Sequence, residues 1–162
     1  MFSFEWNITK SIIMAQVLRN TFLLSATLAV AACGSRPPRS FTIPVDPEVT
    51  VSRFMGAVEA NNLVAMAQLW GTASGPALEE MDRDDLQKRL FVMQTYLAHD
   101  EYEVFAVMTG FLVDEKNRAY QIRLTRAGCV HDVPFELVHV DGGWLVSNVD
   151  LAQAGNPARS CE

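Results

Sequence analysis

Asp46-Pro47-Glu48-Val49-Thr50-Val51-Ser52-Arg53-Phe54-Met55-Gly56-Ala57-Val58 is the stretch of the sequence that decides the fold. It opens with an aspartate that can accept bonds from free backbone amides, a proline that has no amide to satisfy, and a glutamate in the first turn. This is a typical helix start. Apolar residues then recur at i, i+3, i+4 and i+7, which predicts one buried helix face ending near Ala60. These residues are Val51, Phe54, Met55 and Val58.

Two more helices are predicted before the pattern changes. The pair Asn61-Asn62 can end the first helix and cap a short second one. Residues 71–77 contain two glycines and a proline, which is typical of a loop. Asp82, with Asp85 three residues later, resembles a capping box and starts a third helix that ends near His99-Asp100. The apolar stripes are Leu63, Met66, Ala67, Leu69 and Trp70 in the second helix, and Leu86, Leu90, Met93 and Leu97 in the third.

From Tyr102 onward the apolar residues no longer recur with helical spacing, which indicates β-strands. The first, within Tyr102–Val113, is rich in β-branched and aromatic residues and apolar on both faces, so we expect it to be central or covered by helices on one side. Polar residues 114–117 can turn the chain. Alternating apolar and polar residues from Tyr120 to Thr125 then predict a second strand with one wet face.

Two further strands follow in the same region. The third is predicted over Val130–Val140, where Pro134 marks a bulge or an edge because proline cannot donate to a ladder. The turn Asp141-Gly142-Gly143 leads into a fourth strand over Trp144–Leu151. The aromatic and sulfur-containing residues that we assign to the core are Phe105, Met108, Phe111, Phe135 and Trp144.

Helices followed by an antiparallel meander predict an α+β fold, with N-terminal helices packed on one face of a curved four-stranded antiparallel sheet. Phe54–Val58, Leu63–Trp70 and Gly143-Trp144-Leu145-Val146 resemble the nuclear transport factor 2-like superfamily. Its members fold as a cone, a strongly bent sheet wrapped around helices, often with an internal pocket. The resemblance covers residues 46–152. A helical hairpin on an unrelated α+β sheet is the alternative.

An apolar run near the N-terminus ends at a cysteine. Val30-Ala31-Ala32-Cys33 resembles the lipobox of bacterial lipoproteins, in which a diacylglyceryl group is joined to the cysteine sulfur. A peptidase would then cut between Ala32 and Cys33, and the new amine is usually acylated. The 13 uncharged residues from Asn20 to Ala32 are too few for a membrane span, which needs roughly 20. We therefore expect residues 1–32 to be a signal peptide, with the true start at Met14.

The chain is thereby divided into four parts. Behind the signal peptide, residues 33–45 form a lipidated cysteine and a Pro/Arg/Ser tether, residues 46–152 a single domain, and residues 153–162 a loose C-terminal tail. Gram-negative lipoproteins with aspartate after the modified cysteine stay in the inner membrane. Gly34 at that place favours the outer membrane, facing the periplasm. An uncleaved anchor segment and an ordinary signal cut nearby are the alternatives.

The charge balance narrows the choice of partners. After Cys33 the chain has 11 Lys and Arg residues and 18 Asp and Glu residues, a net charge of −7. Such a surface repels nucleic acid and anionic headgroups. We therefore expect no nucleic-acid partner, and we expect the protein to be attached to the membrane only through its lipid. The partners left open are an apolar small molecule, another envelope protein and a second copy of the chain in a homodimer.

The two cysteines besides Cys33 are predicted to form a disulfide, because cysteines outside the inner membrane usually pair. Cys129 lies in the turn between the second and third strands, and Cys161 lies one residue from the end. The bond would fix the tail to the rim of the sheet and close a loop of about 33 residues, worth roughly 3 to 4 kcal/mol. Two free thiols are the alternative.

The sequence contains no motif that identifies a catalysed reaction. The three histidines lack a partner at metal-ligand spacing, so no metal site is predicted. The segment around Ser74 lacks the spacing of a nucleophile elbow. There is also no phosphate loop and no dinucleotide fingerprint, so no cofactor is predicted.

The superfamily resemblance does supply candidate site residues. Enzymes of that superfamily, such as ketosteroid isomerases and dehydratases, use an aspartate base with tyrosine or histidine donors inside the cone. None of the candidates matches a catalytic motif of the family, and polar residues at helix ends and strand surfaces are the simpler interpretation. The polar residues that could face such a pocket are Tyr96, His99, Tyr120, Asp132 and Asp150.

Two hypotheses follow. The first is a membrane-anchored envelope lipoprotein whose domain is a non-catalytic module for binding a small molecule or a protein. The alternative is an enzyme of the same fold, an isomerase, dehydratase or hydrolase that acts on an apolar substrate through a carboxylate in the pocket. They are distinguished by whether an acidic or histidine side chain with a shifted pKa lies at the bottom of a cavity.

Overall fold

The computed structural model describes residues 41–108, 114–159 and 161. The predicted signal peptide, the lipobox with Ala32 and Cys33, the tether up to Ser40, and Phe111 lie outside these residues, as does the side chain of Met108. No helix in the described part of the chain combines the length and the apolar character needed to cross a bilayer.

Helices come first along the described chain and an antiparallel sheet comes second. The four strands of this sheet are hydrogen-bonded in the order in which they follow one another along the chain, which confirms the predicted α+β class with N-terminal helices and a four-stranded antiparallel sheet. A small hairpin lies between the second and third helices. The elements are α1 (Pro47–Glu59), α2 (Leu63–Leu69), β1 (Gly71–Thr72), β2 (Gly75–Pro76), α3 (Ala77–Glu80), α4 (Arg83–Leu97), β3 (Glu101–Met108), β4 (Asn117–Arg126), β5 (Cys129–Val140), β6 (Gly143–Val149) and a 3₁₀ helix (Leu151–Ala154).

Side-chain caps start the helices where the sequence predicts them. The Asp46 carboxylate accepts bonds from the amides of Glu48, at 2.8 Å, and Val49, at 3.3 Å. Asn62 caps α2 in the same way, and Asp82 caps α4 through two amides. Only half of the predicted capping box forms at α4, because the Asp85 carboxylate pairs with Lys88 instead of reaching back.

The segment predicted to be a loop, residues 71–77, is ordered. Its two short strands form an antiparallel hairpin, and α3 follows directly. Trp70 bridges to Val146 in parallel, so the hairpin continues along the outer side of β6. A side chain at Gly71 would collide with Leu145, so glycine permits this close approach. The prediction was wrong because the glycines serve a tight hairpin and not an irregular loop.

Strand β3 lies at one edge of the sheet and is covered by helices on one side only. Tyr102 and Val104 pack against the core. The ladder with β4 shifts between Val104 and Ala106, which leaves Phe105 as the extra residue of a bulge. Phe105 points away from the helices and is 48% exposed. Its assignment to the core was therefore wrong, whereas Phe135 and Trp144 are buried as predicted.

Pro134 in β5 lies where the pairing with β6 stops. Its carbonyl accepts a bond from the amide of Asp150, one residue beyond the end of β6. The nitrogen of Pro134 points to the same side, where no strand partner requires a donor. A register shift follows between Glu136 and Leu137. Irregularities of this kind increase the local twist of a strand.

The space between the helices and the sheet is filled with apolar side chains. Phe54 of α1 lies edge-on against Phe135 of β5, with ring centroids 6.2 Å apart. Burial of this many apolar groups supplies most of the driving force for folding. The largest fully buried side chains are Phe54, Phe135, Met55, Met66, Leu90, Leu97, Ile122, Leu124, Leu137, Leu145, Val51 and Val133.

The C-terminal segment is not the loose tail that the sequence predicts. The Asp150 carboxylate accepts a bond from the Ala152 amide at 3.1 Å and starts the 3₁₀ helix. Ala154 at its end is fully buried in the core. Further along, Cys161 is joined to Cys129 by the predicted disulfide, with the two Cα atoms 5.4 Å apart. The segment therefore packs against the sheet and the end of α4.

Candidate functional site

The five polar residues predicted to share a pocket do not come together. Tyr96 and His99 lie at the C-terminal end of α4, and Tyr120 lies within β4. Asp132 projects from β5 on the face of the sheet away from the helices, and Asp150 caps the 3₁₀ helix. Each of them has to be considered by itself.

Asp132 belongs to a surface ion pair. Arg123 on the neighbouring strand donates to both carboxylate oxygens, from Nε at 2.9 Å and from Nη2 at 3.2 Å. This bidentate hydrogen bond holds the pKa of the Asp132 carboxyl below its ordinary value. The Arg123 guanidinium also covers the ring of Phe105, 4.0 Å from its centroid. Asp132 is thus an ionised strand-surface residue and not a pocket base.

Tyr120 is buried on the helix-facing side of the sheet. Burial, followed by the charges of Glu48 and Asp46, raises the pKa of its phenol. A phenol whose pKa is raised keeps its proton at neutral pH, so Tyr120 can donate a hydrogen bond but cannot act as a base.

His99 and Tyr96 belong to the end of α4. The Nδ1 atom of His99 lies 2.8 Å from the Leu97 carbonyl oxygen, and Nδ1 is the donor because a carbonyl oxygen can only accept. The ring stands edge-on to Tyr102 at 5.2 Å between centroids. Tyr96 packs against the core, and its backbone carbonyl accepts a bond from Arg126. Tyr96 thus lies in the last turn of α4, and His99 lies in the segment directly after the helix.

Arg126 connects three parts of the structure, and sequence reasoning missed it. Its Nη1 donates to the carbonyl oxygens of Tyr96, at 2.8 Å, and Ala98, at 3.3 Å. Its Nη2 donates to the Ala154 carbonyl oxygen at 2.8 Å. The side chain therefore holds the end of α4 and the end of the 3₁₀ helix against the last residue of β4. A cation is favourable at helix C-termini because the carbonyls there carry partial negative charge.

A cavity of about 410 Å³ lies beside Arg126 at the rim of the sheet, and we call it the rim cavity. The Cys129–Cys161 disulfide forms part of its wall. The ring of His131 lies against Gly155, where any side chain would collide with it. The residues that line the rim cavity are Arg126, Gly128, Cys129, Val130, His131, Gly155, Asn156, Arg159 and Cys161.

The sequence contains a signal for this site. Arg126 precedes Cys129 by three residues, and Arg159 precedes Cys161 by two. A disulfide between these cysteines brings the two arginines to the same region of the molecule. The spacing of arginines and paired cysteines therefore indicates a cationic cluster at the rim of the sheet.

Two other surface features are of a different character. A cavity of about 700 Å³ lies between the β1–β2 hairpin and the end of β5, and it mixes the charges of Glu79, Lys116 and Asp141. A shallow apolar cavity of about 210 Å³ lies among α2, α3 and α4. Within the described residues there is no group of three or more side chains that could hold a metal ion.

Comparisons with known proteins add little to this picture. No protein-family model matches the chain, and no curated protein matches it. The solved structures with some likeness include a phospholipid-binding protein from Ralstonia solanacearum in complex with a phospholipid. It shares 7% identity over 64% of this chain and 74% of that one, with a TM-score of 0.34.

An NTF2-like protein of unknown function from Cytophaga hutchinsonii is a second example. It shares 12% identity over 68% of this chain and 95% of that one, also with a TM-score of 0.34. Similarity at this level carries no argument about function. The class of protein is defined by the chain itself: an α+β domain with helices on a four-stranded antiparallel sheet.

Proposed function

We propose that this protein is a membrane-anchored envelope lipoprotein whose domain is a non-catalytic binding module. Lipid on Cys33 would hold the body at the membrane through residues 33–45. Gly34 after the modified cysteine favours the outer membrane in a Gram-negative cell. The anchoring half of the proposal depends on the lipobox.

The binding half depends on one observation: the acidic and histidine residues that could face a pocket are engaged in the scaffold. Asp132 is paired with Arg123, Asp150 caps the 3₁₀ helix and His99 is bonded at the end of α4. General acid–base catalysis needs such a group within hydrogen-bond reach of a substrate in a cavity. The interior is filled by apolar side chains, while the cavities described above open on the outer surface. This arrangement supports binding at the surface over catalysis inside the fold.

The anchor is tested by metabolic labelling with an alkyne fatty acid in the native host. We expect label in the parent protein and none in Cys33→Ser, which should also keep its signal peptide. Cys161→Ser is the matched control, since it removes a cysteine outside the lipobox and should label normally. Equal labelling of parent and Cys33→Ser would overturn the lipoprotein assignment.

The binding role is tested in the same host by complementation of a deletion strain. Asp132→Asn, Asp150→Asn and His99→Gln, made singly, should each restore the phenotype, while Cys33→Ser should not. Loss of function in one of the first three, with normal folding and localisation, would favour the enzyme.

A further inference from the structure

The rim cavity is cationic in a chain whose net charge is −6. Arg126 and Arg159 line it, together with the imidazole of His131, and none of its described lining residues is acidic. The ion pairs found among the described residues lie elsewhere, between Arg123 and Asp132 and between Lys88 and Asp85. Two guanidinium groups line one cavity with no carboxylate among its described lining residues, so they concentrate positive charge on an otherwise acidic molecule.

Arg126 is held in place, and no described carboxylate forms an ion pair with it. Its bonds go to three neutral carbonyl groups, which fix the guanidinium and satisfy three of its five N–H groups. Within the described part of the chain, the Nε hydrogen and one Nη2 hydrogen remain for another acceptor. Since the side chain is already ordered, a ligand that binds here loses little rotamer entropy.

Arg159 and Asn156 supply further donors from the C-terminal segment. The Asn156 side-chain oxygen accepts a bond from the Ala158 amide at 2.9 Å, so its NH₂ group is left as a donor. The Arg159 amide donates to the Asn156 carbonyl at 3.1 Å, which forms the turn that carries Arg159. The disulfide at Cys161, two residues further on, ties this turn to the beginning of β5.

We propose that the rim cavity binds a small molecule through an oxyanion group, a phosphate, held between Arg126 and Arg159. Planar guanidinium groups match the oxygens of phosphate in paired hydrogen bonds. A cavity of about 410 Å³ has room for that group and a small organic body. The proposal rests on the binding-module function and names the chemistry of its ligand. The phosphate could belong to a soluble metabolite or to a lipid headgroup.

The test is titration calorimetry of the full-length protein in detergent with inorganic phosphate, at about 0.15 M chloride. We expect saturable binding that weakens about tenfold or more in Arg159→Gln, the loss typical of one charged hydrogen bond. Arg126→Lys, which retains the charge but lacks the fork, should also weaken binding. Arg123→Gln is the matched control, because it removes the same charge from the neighbouring face of the sheet, and it should bind within about twofold of the parent.

The source of the phosphate is resolved by a second arm with short-chain phospholipids added to the protein in the same detergent, because the lipid on Cys33 would insert into vesicles of any composition. Binding of short-chain phosphatidylglycerol but not of short-chain phosphatidylcholine, lost in Arg159→Gln, would identify an anionic headgroup. Binding of inorganic phosphate alone would identify a soluble ligand. Absence of saturable binding in both arms, or equal weakening in Arg123→Gln and Arg159→Gln, would overturn the proposal. Since fatty-acid labelling and complementation do not depend on this cavity, they would still decide the proposed function separately.

Discussion

Two arginines of β4, three residues apart, show how surroundings decide what a residue does. Arg123 projects to the outer face of the sheet and is paired with a carboxylate. Arg126 ends the strand and is bonded to carbonyl groups of α4 and the 3₁₀ helix. The first is a neutralised surface pair, which typically contributes little to stability. The second retains a fixed positive charge at the rim cavity, where a ligand can use it.

The Arg123–Asp132 pair gives a prediction about pH. The pKa of the Asp132 carboxyl is lowered from 3.8, chiefly by the bidentate hydrogen bond from Arg123. A lowered pKa means that the stabilisation is present above about pH 4 and is lost as the pH falls through the folded-state value. In Arg123→Gln the pKa of Asp132 should return towards 3.8, measured by carbon NMR of the side-chain carboxyl.

Arg123→Lys is the control for that titration. It retains a positive charge without the fork, so the pKa of Asp132 should lie between those of the parent and Arg123→Gln. An unchanged pKa in Arg123→Gln would show that the pair is not formed in solution. The difference in unfolding free energy between parent and Arg123→Gln should also shrink as the pH falls below about 4.

At the scale of elements, the C-terminal segment is attached to the rest of the domain at three places. Ala154 is buried in the core, Arg126 at the end of β4 donates a hydrogen bond to the Ala154 carbonyl oxygen, and the disulfide joins Cys161 to the beginning of β5. These contacts make the segment part of the domain and build one wall of the rim cavity.

Removal of the disulfide should therefore be costly. The two cysteines are 32 residues apart in the chain, and a loop of that size corresponds to roughly 3 to 4 kcal/mol on the chain-entropy estimate. We expect Cys129→Ala with Cys161→Ala to lower the unfolding free energy by about that amount in urea denaturation. The parent measured in reductant should match the double variant. A loss below about 1 kcal/mol would mean that other contacts already restrict the chain in the folded or the unfolded state, so that the disulfide adds little stability.

At the scale of the whole molecule, stability depends on how the helix layer packs against the sheet. Phe54 of α1 and Phe135 of β5 are both fully buried, and their rings meet at an interplanar angle of 79°. Edge-to-face aromatic pairs are worth about 0.5 to 1.5 kcal/mol beyond the area that they bury. This contact joins residues that are distant in sequence and lie in different layers.

A double-mutant cycle measures that contact. Phe54→Leu and Phe135→Leu should each lower the unfolding free energy by about 1 to 2 kcal/mol. Their combination should cost less than the sum, by a coupling of about 0.5 to 1.5 kcal/mol. The control cycle pairs Phe54→Leu with Phe105→Leu, because Phe105 lies on the other face of the sheet, and its two effects should be additive. Additive effects in both cycles would contradict the packing of α1 on β5.

The sequence by itself determined the local structure, because the determining groups are close together in the chain. A cap such as Asp46 acts on amides two or three residues away, and the apolar periods of 3.6 and 2 follow from backbone geometry. The helix starts at Pro47 and Arg83, the strands from Glu101 to Val149 and the α+β class were therefore predictable. The disulfide could also be predicted, since only two cysteines remain after Cys33.

The tertiary structure alone decided the side-chain positions and contacts that involve residues far apart in the chain. Phe105 looks like a core residue, but the helices cover only the opposite face of β3, so its side chain stays exposed. The five predicted pocket residues look like one site until the register and the helix ends separate them. Arg126 acts on carbonyl groups 28 and 30 residues away, and no local pattern encodes such a contact. The predicted disulfide brings Arg126 and Arg159 to one region of the molecule, but only the packing of distant segments forms the cavity that they line.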